Sequence, residues 1–122
     1  LRTDQKIYDL RKEVQGVKHV DTLSALITLI GSHRHSKNYA TAIELGQDAL
    51  ELSRNIYGPE TERTLSIISR IAEDHYRNGD KVASLKKLEE LYPLCSRALG
   101  AHHRLTADTY ANLTRLRAIL KR

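Results

Sequence analysis

The sequence predicts an all-α fold, a stack of antiparallel helix pairs, and three observations carry that expectation. Gly16, Gly58 and Gly100 recur 42 residues apart, as do Thr22/Thr64/Thr106 and Leu10/Leu52/Leu94, joined by the pairs Leu23/Leu65, Ser24/Ser66 and His33/His75. With glycine near 7% of average composition, a given glycine recurs by chance at two fixed further positions about 0.5% of the time. Three triplets on one period therefore mark duplication of a structural unit, the signature of a solenoid. Apolar residues also follow helical spacing throughout, the turns between them are short, and no alternating strand pattern occurs.

Residues 3–14 place Ile7, Leu10, Arg11 and Val14 at i, i+3, i+4 and i+7, an amphipathic helix that stops at Gly16. In the repeat register Ile7, Leu10 and Val14 correspond to Ala49, Leu52 and Ile56, so residues 1–15 are expected to be the second helix of a repeat whose first helix is cut away. A start at Leu1 without Met fits an excised fragment. The first full unit, 16–57, pairs a helix from Asp21 to about His35 (Leu23, Leu26, Ile27, Leu29, Ile30) with one from Tyr39 to Ile56, broken between them at Ser36-Lys37-Asn38. The partner helix is expected to bury Ala42, Ile43, Ala49, Leu50, Leu52 and Ile56, with Glu44, Asp48 and Glu51 as a solvent stripe. In the second unit, 58–99, Pro59 suits the start of a helix over 61–77. Asn78-Gly79-Asp80 breaks it, and 81–98 follows with Leu85, Leu88, Leu91 and Leu94, where Pro93 predicts a kink or a shift in packing. Residues 100–122 supply the first helix of a further unit, over 104–121.

A chain of 122 residues with 40% hydrophobic content suits one compact domain. Lacking Phe, Trp and Met, its core must be built from Leu, Ile, Val and Ala, which favours close helix packing over a roomy cofactor pocket, and no cofactor is expected. Twenty Lys and Arg against fifteen Asp and Glu give a net charge of +5, which favours acidic partners. Cys95 is alone, so no internal disulfide forms, and a reducing, cytoplasmic compartment is expected. No apolar run approaches the roughly 18 residues of a membrane span.

Nothing points to catalysis: there is no G-x-S-x-G, no phosphate-cradling glycine loop and no His beside Cys95. The six histidines do not suggest a metal site either. His33 and His75 share one slot of the repeat and His19 and His103 another, which sets the members of each pair at least one repeat apart, too far to share an ion held by ligands near 2 Å. His33 and His75 read as half-buried packing residues. Nucleic-acid binding is suggested by charge alone and is disfavoured, because no recognition motif accompanies it.

The residues resemble tetratricopeptide repeats of the 42-residue type found in kinesin light chains. Gly16, His19, Thr22, Leu26, Leu29, Tyr39, Ala42, Leu45, Ala49 and Leu50 match that pattern in the first unit. Gly58, Thr64, Leu65, Ile68, Ile71, Ala72 and Gly79 match it in the second, and Gly100, His103, Thr106, Asn112 and Leu113 in the third. Departures are His33, His75 and Arg117 where tyrosine is usual, Ile30 and Thr114 at the small-residue crossing held by Ala72, Ser84 for alanine, and Val20 and Arg104 for proline. The resemblance implies a right-handed α-solenoid of about six helices whose first helices line a peptide-binding groove.

On the second unit's first helix, the residues left polar once the core arc is assigned are Ser66, Ser69, Arg70, Glu73, Tyr76 and Arg77. Register carries the stripe to Ser24, Ile27, Thr28 and Arg34 before it, and to Asp108, Asn112 and Arg115 after it; the resemblance further implies that Asn112 contacts a peptide backbone. Arg34, Arg70, Arg77 and Arg115 outnumber Glu73 and Asp108, and guanidinium forks suit carboxylates or phosphates. The expected function is a non-enzymatic interaction module for an acidic peptide or helix. Its rival is a structural, regulatory or self-association segment of a larger signalling or transcription-regulatory protein, in which uncovered Leu116, Ile119 and Leu120 would promote homo-oligomers.

Overall fold

The computed structural model describes residues 4–9 and 20–121. A helical segment over 4–9 precedes five α-helices: α1 (Val20–His35), α2 (Tyr39–Tyr57), α3 (Glu62–Arg77), α4 (Lys81–Leu99) and α5 (Arg104–Leu120). Among the described residues there is no strand. Each helix packs chiefly on the next in sequence. The result is a row of antiparallel pairs in which α1, α3 and α5 are the first helices of successive repeats. The expected apolar face of residues 3–14 lies largely outside the described residues, which include neither Leu10 nor Val14.

The period is visible in the turns. Gly58 and Gly100 cap α2 and α4 with nearly the same backbone, φ 99° and ψ 160° against φ 91° and ψ 158°. Each donates its N–H to the carbonyl four residues back, on Arg54 and Ser96. That conformation is open essentially to glycine alone. The next helix then starts on a side-chain cap. Thr61 Oγ1 accepts from the Thr64 amide, Asp80 Oδ1 from the Ala83 amide, and His103 Nδ1 from the Leu105 amide, each satisfying an N–H that the first helical turn cannot.

Burial falls into three consecutive clusters, one per junction. Leu23, Leu26, Leu29 and Ile30 meet Ala42, Ala49, Leu52 and Tyr8; Leu50 meets Leu65, Ile68, Ile71, Leu91 and Cys95; Ala72 meets Leu85, Leu88, Leu113 and Leu116. Complete burial of a leucine such as Leu65 contributes roughly 1.5–3 kcal/mol, so these clusters hold the stack together. Gly46 is buried mid-helix where an added Cβ would stand 2.9 Å from Ile71 Cγ1, and the missing side chain is what lets α3 approach α2 there. The threonines of the repeat, Thr22, Thr64 and Thr106, are all buried. The Thr64 hydroxyl donates to the Gly58 carbonyl at 2.7 Å and pairs with the Ser53 hydroxyl at 2.8 Å, tying the turn to α2. One repeat later Cys95 stands at the Ser53 position, and Thr106 Oγ1 is buried without a hydrogen-bond partner.

Three expectations need correction. Ile7, expected on a core face, is 42% exposed, while Tyr8 next to it is buried; successive helix residues point about 100° apart, and it is Tyr8 that meets the cluster under α1 and α2. Ile43 and Ile56 are half-buried, their places in α2 being taken by Gly46 and Ser53. Leu116, expected to be uncovered, is 2% exposed and Leu120 packs on the same cluster, because α5 turns this edge back onto α3 and α4; of the apolar trio only Ile119 faces solvent. The helix α4 spans Pro93, which is exposed.

Candidate functional site: two hollows between the first helices

The first helices α1, α3 and α5 leave two hollows between them, and the sequence register makes the hollows equivalent. The first, about 540 Å³, lies among α1, α2 and α3, and the second, about 430 Å³, among α3, α4 and α5. Eleven of the thirteen residues expected in the groove line one or the other: Ser24, Ile27, Arg34, Ser66 and Arg70 the first, and Ser69, Glu73, Tyr76, Arg77, Asn112 and Arg115 the second. Helix geometry divides the α3 stripe this way, since residues four apart share a face and Ser66/Arg70 therefore look one way while Ser69/Glu73 look the other. Thr28 and Asp108 line neither. The Thr28 hydroxyl turns back to the Ser24 carbonyl of its own helix at 3.0 Å, and exposed Asp108 lies 3.9 Å from Arg104.

The charges are more committed than the residue list suggests. Arg34 reaches from α1 to α3 and grips Asp74 with both arms, Nε to Oδ1 and Nη2 to Oδ2, each at 2.7 Å. The Asp74 side chain is 1% exposed and that of Arg34 20%. Those hydrogen bonds raise the Arg34 pKa further above its usual value, against the opposing pull of burial. Arg77 lies 3.9 Å from Glu73, and Arg115 donates to Asn112 Oδ1 at 2.7 Å. Of the four arginines, only Arg70 has no ion-pair or hydrogen-bond partner among the described residues. At the far end of the first hollow Arg63 lies over the Tyr57 ring and donates to its hydroxyl, while Glu62 meets His103 Nε2 at 2.7 Å.

Sequence reading missed Asp74, Glu62, Arg63 and Gly46 as lining residues. Asp74 had a signal that went unused: it is an acid in the slot that Leu116 fills one repeat later, with Arg34 as its cross-helix neighbour. The described residues bring no three of His, Cys, Asp and Glu together in a way that could hold a metal. Cys95 is fully buried, and that burial raises its thiol pKa, the opposite of an activated nucleophile.

Comparisons place this geometry among known proteins. A Clustered mitochondria protein homolog from Aspergillus niger is 22% identical over 108 residues, covering 88% of this chain; the chain spans 9% of that relative's length. Two crystal structures of a Podosopora anserina protein assigned as a kinesin light chain, built of nearly identical TPR-like repeats, superpose at a TM-score of 0.82 with 14% identity. They cover 97% of this chain and 56% of theirs, which shows a shared solenoid fold. The family model described as Tetratricopeptide repeat matches residues 21–93, more than half of the chain, from the start of α1 into α4. The chain belongs to the tetratricopeptide repeat family.

Proposed function

We propose that this chain is a non-enzymatic protein-interaction module that binds an acidic peptide segment of a partner across the two hollows between α1, α3 and α5. The supporting observation is Arg70. It stands on the shared wall, on the solvent side of α3, while the neighbouring groove arginines are already engaged by Asp74, Glu73 and Asn112. An unpaired guanidinium on the face it shares with Ser66 offers donors in excess of acceptors, which matches an acidic chain and not a basic one. Arg77, only loosely held to Glu73, extends the donor set into the second hollow. The lone, buried Cys95 fits a reducing, intracellular setting for this role.

Fluorescence anisotropy with a labelled poly-acidic peptide tests this reading. The double substitution Arg70→Glu with Arg77→Glu removes two exposed cations without touching the buried core. It is expected to weaken binding by roughly ten-fold or more, the worth of one charge-assisted hydrogen bond. Equal affinity of the wild type and the double variant would refute the acidic-groove assignment.

A further inference from the structure

The two hollows occupy the same place in successive repeats but are walled differently. Gly31, Ala42 and Gly46 around the first become Glu73, Ser84 and Leu88 around the second. At Gly46 the walls differ most in bulk: the second hollow has Leu88 in that place, whereas in the first Ile71 packs within 2.9 Å of where a Cβ would stand and becomes part of the wall. What remains around the first is an apolar surface of Ile27, Ile30, Ile67 and Ile71. Its volume of about 540 Å³ lies inside the range of about 300–1,000 Å³ typical of small-molecule sites.

Charge decides what such a cavity prefers. Both carboxylates that line it are occupied, Asp74 by Arg34 at 2.7 Å and Glu62 by His103 at 2.7 Å. The two other cations that line it, Arg63 and Arg70, have no ion-pair partner among the described residues. A neutral apolar molecule would leave that cationic rim unanswered, and a bare inorganic anion would leave the isoleucine walls wet. We infer that the first hollow is a binding site for a small amphiphilic carboxylate, whose hydrocarbon lies against Ile27, Ile30, Ile67 and Ile71 while its head group meets Arg70. A guanidinium fork matches a carboxylate geometrically as well as electrically. The site is assigned to the first junction, because Arg70 and the four isoleucines line that hollow, whereas the second, about 430 Å³, carries Glu73 where the first has Gly31, a carboxylate that opposes an anionic head group.

The test is an amide NMR titration of the 122-residue chain with octanoate, and with 1-octanol as the uncharged counterpart. Octanoate is expected to produce saturable shifts at Gly31, Gly46, Arg70 and Ile71, and 1-octanol to bind roughly ten-fold more weakly or worse. Arg70→Gln, at an exposed position, is expected to reduce octanoate affinity to the level of 1-octanol. Gly46→Leu, which installs the residue found at position 88, is expected to abolish binding; should that variant not fold, Arg70→Gln decides alone. Absence of saturable shifts, equal binding of the alcohol, or shifts centred on Ala72, Glu73 and Arg115 would overturn the assignment. A parallel titration with the acidic peptide separates the two readings. Peptide binding without octanoate binding leaves the groove and removes this site, whereas octanoate binding alone keeps the site and removes the peptide.

Discussion

Replacing Asp74 by alanine probes the ion pair that joins the first two repeats. The carboxylate is 1% exposed and holds Arg34 by two hydrogen bonds of 2.7 Å, so its removal strands a guanidinium that is itself only one-fifth exposed. Breaking one side of a buried pair costs about 3–5 kcal/mol, and because Arg34 opens onto a hollow that water can enter, the lower end applies, about 3 kcal/mol. For a chain of this length each kcal/mol moves Tm by about 4 °C, giving a fall of about 12 °C. The second junction supplies the control. There the positions of Arg34 and Asp74 hold Tyr76 and Leu116, an uncharged pair in the same place on the fold. The double substitution Arg34→Tyr with Asp74→Leu copies that solution, and replacing a buried pair as a unit is neutral or stabilising by up to about 4 kcal/mol. Circular dichroism melts of both variants provide the assay. An Asp74→Ala loss under about 0.5 kcal/mol, the scale of an ordinary surface change, would show that the pair is not a structural latch. A double variant as unstable as Asp74→Ala would refute the equivalence of the junctions.

Two further stability predictions follow from the repeat register. Cys95→Ser places a hydroxyl where Ser53 stands one repeat earlier, gives Thr106 Oγ1 the partner it lacks, and is expected to raise stability by about 0.5–1.5 kcal/mol. Ser53→Ala removes the corresponding hydroxyl from Thr64 and should lower it by about 1 kcal/mol in urea denaturation. Among the glycines, Gly58→Ala and Gly100→Ala force a side chain into a backbone at φ 99° and φ 91° and are expected to cost about 1–3 kcal/mol each. Gly31→Ala, helical and with open space where its Cβ would go, should instead stabilise by about 0.5–1 kcal/mol. Thermal melts that failed to separate these two classes would contradict the capping role of the repeat glycine.

Much of the fold was legible because the features that specify it are local and repeated. Glycines at one spacing fixed the turns, and helical periodicity fixed the faces, so all five helix starts fall within one residue of the sequence reading. What could not be read was which polar residues turn inward. Asp74 lies on the helix arc between groove and core, and only the approach of α1, which brings Arg34 within 2.7 Å, makes burial of its charge tolerable. The arginine surplus over Glu73 and Asp108 was legible, but the commitment of Arg34 was not, because its carboxylate partner Asp74 lies on another helix. Leu116 was assigned to an open strip because its cover was sought in a following helix, yet α3 and α4 before it supply the contact. The walls of the two hollows differ at register positions such as Gly46 against Leu88 and Gly31 against Glu73, differences visible in the sequence and given meaning only by the packing.

The most direct test of the interaction-module account is an amide NMR titration of the chain against a pool of acidic peptides, with single-stranded RNA as the control. Saturable shifts on Ser66, Ser69, Arg70, Glu73 and Arg77 with peptide, together with weak salt-dependent shifts or none with RNA, are the expected result. Shifts confined to 104–121, or peptide shifts scattered over α2 and α4 with α3 silent, would contradict it.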